Sequence, residues 1–399
     1  MSGSTTRNSS QLIAGSGAGP LLLSMRRVNK LVACCINYEF EDVIAELTGA
    51  DRDNVGGWDS LESSRRRFRM ARMMKFPLGA TRTLARGNHP LRLERDYGLF
   101  FPIFNGLYEL HALTTIPNWH KRSRLAACYV SEAWLHLLPG YLIETRAEFD
   151  HVFIGMRNPA EAVGRLAGRP CTYLPLASDV LRFSPFPRQA ARTINFCNIG
   201  RRSQVTHAAL LQLTRERNIF YYHDTVAASG IEGKQLTIRV QDAAEHREQL
   251  ARLLRRSRFY LTNKSLVSDS AFRHGRVEIS GRFYDGIAAG AAMIGEPPEC
   301  EDFERQFDWP DAVIERPFDD PSIANVIADL DRDPERLKRI GTANFRQAAL
   351  RHDWVHRLLS VYQTLGLAPT SSMLDRVRHL RDLATLAAAA PPHMANQNA

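Results

Sequence analysis

The chain has 399 residues, of which 44% are hydrophobic and 24% charged, with 25 Gly and 20 Pro. That composition fits two globular domains or one large α/β domain, and excludes a fibrous or wholly disordered chain. The formal net charge is +9, and residues 60–95 hold nearly all of the excess, ten Lys/Arg against two Glu.

A basic stretch of this kind attracts anions: acidic lipid headgroups, phosphorylated acceptors or nucleic acid. Met70, Met73, Met74 and Phe76 are interleaved with its arginines, so an amphipathic segment docking on an anionic membrane surface is one reading and a solvated helix face the other. Only Phe68 and Phe76 are available there for stacking bases, so no nucleic acid is expected. No apolar run approaches the ~20 residues of a spanning helix. Leu21-Leu22-Leu23 is too short for a signal h-region, which points to a cytoplasmic protein, peripheral at most to the inner membrane face. The six cysteines (34, 35, 128, 171, 197 and 300) show no Cys-x-x-Cys spacing and lie mostly in apolar runs, as reduced buried cysteines do.

In chain order, residues 1–25 are rich in Ser, Gly and Thr and read as disordered. The Gly-rich stretch at 15–19 lacks the preceding strand a dinucleotide fingerprint needs. A strand is predicted over 31–36 and a helix near 41–47. Beyond the basic stretch, strands follow at 97–104 and 125–130, a helix at 141–149, a strand at 151–154, a helix at 159–166 and a strand at 171–176. Pro185 and Pro187 mark a linker, after which the pattern restarts. Strands are predicted at 193–199, 219–222, 258–261 and 291–294, with helices over 204–217 and 243–256 and from 283. Asp320-Pro321 and Asp333-Pro334 each place a capping Asp before a first-turn Pro, the second helix running to about 365, and a last helix covers 373–390. The division is 1–25 disordered, 26–187 a Rossmann-like N-terminal domain, 188–365 a second Rossmann-like domain, and 366–399 a helix and tail. Two such α/β units enclose a cleft, with ligands beyond the carboxyl ends of the strands.

The stretch with the most chemistry is Glu278-Ile-Ser-Gly-Arg-Phe-Tyr-Asp-Gly-Ile-Ala-Ala-Gly290. Ser280-Gly281 turns directly into a helix, whose free N–H groups and dipole suit a diphosphate. Arg282 adds a charge-assisted contact, and Asp285, one turn in, is placed to accept from ribose hydroxyls. In the first half, Glu132 follows a predicted strand and would face the cleft as a candidate general base, with His111 and His120 as rivals. Asp329-Leu-Asp-Arg-Asp333 carries two overlapping DxD patterns, read here as capping and not as a metal site.

Gly281 to Gly295 resembles the acidic–Ala–x–Ala–x–Gly segment of group 1 glycosyltransferases of the GT-B fold, closest to the bacterial branch that includes spore-maturation-type enzymes. Glu296-Pro-Pro-Glu-Cys, Arg351-His-Asp-Trp-Val-His-Arg357, Asn198-Ile-Gly-Arg201 and Tyr173-Leu-Pro-Leu-Ala-Ser-Asp179 extend the resemblance over residues 170–365. It implies two Rossmann-like domains facing a cleft, a nucleotide-sugar donor, a hydroxyl acceptor and no bound metal or cofactor. It implies a ribose contact for Asp285, a sugar contact for Glu278, and a diphosphate contact for Arg201 after Gly200, with Lys264 as a second cation. The spacing from Glu278 to Asp285 is one residue shorter than the family's, and Asp stands where Glu is usual. A non-catalytic nucleotide- or carbohydrate-binding scaffold of the same fold is the alternative, distinguished by donor binding without turnover; a basic nucleic-acid-binding protein is a weaker one.

Overall fold

The computed structural model describes residues 19–55, 58–85, 93, 95–116, 119–134, 148–167, 170–187, 191–217, 219–224, 239–267 and 277–389. The first sheet contains β1 (Leu21–Ser24), β2 (Asp51–Asn54), β3 (Tyr97–Phe100), β4 (Ile103–Gly106), β5 (Ser123–Glu132), β6 (His151–Ile154) and β7 (Cys171–Tyr173). All pairs are parallel, in the order β2-β1-β3-β5-β6-β7 with β4 also on β5. β3 and β4 lie on one line, since Tyr97 pairs with Ser123 and Ile103 with Tyr129. Pro102 interrupts the line because it has no N–H, while its carbonyl still accepts from Tyr129 N at 3.1 Å.

The second sheet is β12-β11-β10-β8-β9, again all parallel: β8 (Ile194–Asn198), β9 (Tyr221–His223), β10 (Ser257–Leu261), β11 (Ala292–Gly295) and β12 (Ile314–Glu315). With β3 and β4 taken as one, the two sheets share a strand order in which the winding reverses beside the first strand. The reversals fall between β1 and β3 and between β8 and β10, the places where open α/β sheets hold ligands.

The helices of the first half are α1 (Cys35–Thr48), α2 (Trp58–Met73), α3 (Leu78–Ala85), α4 (Arg157–Ala167) and the short α5 (Val180–Phe183). Those of the second are α6 (Gln204–Arg217), α7 (Ala243–Arg255), α8 (Gly281–Ala288), α9 (Glu301–Gln306), α10 (Ile323–Arg332), α11 (Pro334–Arg351), α12 (Trp354–Thr364) and α13 (Ser371–Ala389).

Three apolar clusters fill the molecule. One lies within the first half around Leu21, Phe100, Trp119 and Ile154, and one within the second around Phe196, Leu210, Phe259 and Ile327. The third spans both halves, joining Phe40, Tyr129 and Phe153 to Tyr260, Phe283, Phe345 and Trp354. α12 and α13 return to the first half: Trp354 stacks on Phe40 with centroids 4.4 Å apart, and Thr370 Oγ1 donates to the Leu47 carbonyl at 2.7 Å.

Four sequence expectations change. Residues 31–36 are not a strand but a 3-10 turn leading into α1. Their unbroken apolar run fits a strand and a helix start equally well, and burial becomes continuous only from Cys34 through Glu41. The first strand is instead Leu21–Ser24, inside the stretch read as disordered, because three leucines buried on both faces suffice for an interior strand. The helix expected to run to 365 breaks at His352, and Asp353 caps α12 by accepting from Val355 N at 2.8 Å. Asp320 does not cap a helix; it accepts from Arg316 and Ser322, while Asp333-Pro334 caps α11 as expected. The helix expected at 141–149 lies almost wholly outside the described residues.

Glu41 of α1 is buried, accepting from Ser24 Oγ at 2.6 Å and from Arg26, while its second oxygen has no partner. Burial pushes its carboxyl up to about 7 from 4.5, against the pull of Arg26, Ser24 and Arg52. The folded state therefore holds this proton more tightly than the unfolded chain. The resulting stability is present at low pH and lost as pH rises from ~4.5 through ~7, about 3 kcal/mol in all. Denaturant unfolding across that window should show wild type losing this amount relative to Glu41→Gln, and parallel pH profiles would contradict the assignment.

Candidate active site

At the carboxyl end of β8 the chain turns at Gly200, whose φ of +84° suits glycine. Gly200 N donates to Asp224 Oδ2 at 2.5 Å, and Arg202 Nη1 reaches Asp224 Oδ1 at 3.1 Å, so the end of β9 fixes the β8 turn. A Cβ on Gly200 would stand 2.5 Å from Arg282 Nη2, which shows the Arg282 guanidinium lying against this turn. Arg282 comes from the first turn of α8, so Gly200, Arg282 and the N-terminus of α8 converge where β8 and β10 diverge. Ser280, the N-cap of α8, makes no side-chain cap bond, and its Oγ has no partner. A concavity beside them is lined by Arg201, Asn263, Gly295, Arg316, Phe318 and Asp320 among others.

The facing wall comes from the first sheet. Glu132 ends β5, with its side chain open to solvent yet protein on most sides, as on the floor of a cleft. Those surroundings raise its carboxyl above the usual range; Trp134 Nε1, donating at 3.1 Å, and the charge of Arg201 pull it back. Glu132 of one domain and Arg201 of the other thus lie within electrostatic reach. A carboxylate whose pKa is raised holds a proton more tightly and is the stronger general base for it. Of the rival bases, His111 is buried against Phe68, and burial together with Arg65 and Arg69 lowers it to about 4; His120 is exposed beside Trp119.

The other candidates divide. Lys264 pairs with Glu296, so much of its charge is already met. Glu278 is half-buried and accepts from Ser265 N through its carbonyl; burial raises the Tyr173 and Cys300 pKa values, and the charges of Asp302 and Glu278 add to it. Gly281 is closely approached by Ile36 of α1, so the first domain abuts the start of α8. The DxD residues are spread along α10: Asp329 pairs with Arg332, Asp331 with Arg258, and Asp333 caps α11.

Asp285 requires a correction. It is only 3% exposed, and both its oxygens are occupied: Oδ1 accepts from Ser178 Oγ at 2.7 Å and Arg247 Nη2 at 2.6 Å, and Oδ2 from Arg247 Nη1 at 2.9 Å. Arg247 also donates to Glu39 of α1, Nε at 2.7 Å and Nη2 at 3.0 Å. Asp285 therefore joins the domains and does not face the cleft as a ribose acceptor would. Spacing placed it one turn into α8 correctly; the direction of its side chain is decided by α7, which offers a buried guanidinium.

Residues 201–363 match the family model described as glycosyl transferase-like. That stretch of the C-terminal half is thus similar to glycosyltransferase domains. The whole chain has the GT-B fold, two facing α/β domains of parallel sheet. A UDP-forming α,α-trehalose-phosphate synthase from Burkholderia vietnamiensis superposes with a TM-score of 0.51 at 11% identity, over 87% of this chain and 100% of that one. A trehalose 6-phosphate synthase from Burkholderia multivorans gives 0.47 at 11% identity, over 94% of this chain and 100% of that one. No curated protein matches the sequence.

Sequence reasoning missed the Glu39–Arg247–Asp285 bridge, whose members lie 208 and 38 residues apart. It also missed Asp224 as the brace of the β8 turn, although that residue directly follows a predicted strand. The bridge carries two carboxylates and one cation. Arg247→Met strands both carboxylates in the interior and should destabilise the fold by about 3–5 kcal/mol, whereas Asp285→Asn, which leaves a neutral Glu39–Arg247 pair, should cost less. Thermal unfolding of the two variants checks this, and the reverse order would contradict the arrangement.

Proposed function

We propose that this glycosyltransferase moves a sugar from a nucleotide-sugar to an acceptor hydroxyl, with the diphosphate held by Arg201, Arg282 and the N-terminus of α8. The observation that supports the reading most is the placing of Glu132 and Arg201 at strand ends of opposite domains, within electrostatic reach of each other. Glu132 takes the proton of the acceptor hydroxyl as its oxygen forms the new bond to the donor's anomeric carbon. The bond from that carbon to the diphosphate oxygen breaks, and its electron pair leaves with the nucleotide diphosphate. Negative charge grows on the leaving group, where fixed cations and unpaired helix N–H groups stabilise the transition state more than the ground state. The positive charge needed there is supplied by protein groups, so the reading requires no metal. Lys264, already paired with Glu296, is assigned a lesser part than Arg201. The packing of the basic stretch on the segment beside Glu132 supports reading the acceptor as one met at an anionic surface.

Nucleotide release across UDP-, GDP- and ADP-sugars tests the reading. Wild type should turn over one donor class. Arg201→Ala should lower kcat at least tenfold with a smaller change in donor affinity. Glu132→Gln should lower transfer by about 10²–10⁴-fold while still binding donor. Donor binding without release by wild type would indicate a binding scaffold and overturn the proposal.

A further inference from the structure

The α2–α3 hairpin has an outward face that the transfer chemistry does not use. Its inward side is already satisfied: Ser64, Phe68 and Ala71 are buried, Phe68 packs on His111 with ring centroids 5.2 Å apart, and Ser64 Oγ bonds Thr114 Oγ1 at 2.6 Å. The outward side carries Arg66, Arg69, Met70 and Met73, at the spacing that places side chains on one helix face, and all four are exposed. The turn that follows adds Met74, Lys75 and Phe76. It is ordered by Phe76 N donating to the Ala71 carbonyl at 3.1 Å and Lys75 N to Arg72 at 3.0 Å.

Met70 is 62% exposed, Met73 81% and Met74 68%, with Phe76 and Leu84 of α3 beside them in sequence. Among the described residues the other exposed large hydrophobic side chains are scattered along the chain, so this hairpin is the place where they concentrate. Apolar side chains turned away from a satisfied core, with cations between them, match a surface that is anionic outside and hydrocarbon beneath.

We propose that the α2–α3 hairpin docks the protein on an anionic lipid bilayer, its methionines entering the headgroup boundary and Arg66, Arg69 and Lys75 meeting lipid phosphates. The hairpin packs on the segment 107–115, where Tyr108 lies against Gly106, and Gly106 is the register partner of Glu132. Docking there brings the Glu132 wall of the cleft close to the membrane. The proposal goes beyond the sugar-transfer reading and stands independently of it, because the test needs no turnover.

Sedimentation of the full chain with vesicles decides it, comparing phosphatidylcholine alone with an equal mixture of phosphatidylcholine and phosphatidylglycerol at low and high salt. Binding should require the anionic lipid and weaken with salt. Replacing Arg66, Arg69 and Lys75 with Gln should lower partitioning by about 100-fold, and replacing Met70, Met73 and Met74 with Ser by at least tenfold. All six positions are exposed, and unchanged thermal unfolding verifies that the variants fold. Equal partitioning to both vesicles, or no loss in either variant, overturns the proposal. So does loss in the charge variant alone, which is adsorption without entry. A salt-sensitive complex with duplex RNA in place of vesicles overturns it, as does a dimer in sedimentation velocity that the serine variant abolishes.

Discussion

Arg247 has protein on every side, and the carboxylates that make its burial possible come from both domains. Glu39 arrives on α1 of the first domain and Asp285 on α8 of the second. Taking a guanidinium from water is costly unless its donors are met, so the geometry in which both carboxylates reach it is strongly favoured over any in which the domains separate at this point. Neighbouring groups extend the constraint. Trp354 Nε1 and Asp179 N donate to Glu39, and Arg376 of α13 bonds both Asp179 and Asp353. One hydrogen-bonded chain thus links α1, the N-cap of α5, α7, α8, α12 and α13.

That junction determines what the cleft is. Because α1 follows β1 and α8 opens just before β11, fixing the one against the other sets the carboxyl ends of the two sheets face to face. Glu132 then comes within electrostatic reach of Arg201, and Ile36 against Gly281. Each sheet alone is a general ligand platform. Facing each other, they set a carboxylate with a raised pKa on one side and guanidinium groups with a helix N-terminus on the other.

The α2–α3 hairpin obeys a different constraint. It is held by Phe68 and Ser64 on its inner side, so its outer side is free of any packing requirement and carries the chain's concentration of positive charge. Its attachment to segment 107–115 connects that surface to the first domain, beside Glu132.

The sequence by itself determined the alternation of strands and helices in the second half, the α/β class and the Gly200-Arg201 and Ser280-Arg282 turns, because each is written in adjacent residues. It placed Glu132 at a strand end and Asp333-Pro334 at a helix start for the same reason. Tertiary structure alone decided whether 31–36 became strand or helix, since a short unbroken apolar run has no period that separates the two. It alone decided the direction of Asp285: position along a helix follows from counting, but which neighbour a carboxylate meets depends on α7, 38 residues away, and on α1, more than 200 away. Long-range electrostatic partners leave no local pattern, and so the residue that sequence spacing assigned to the donor belongs instead to the junction that holds the two domains together.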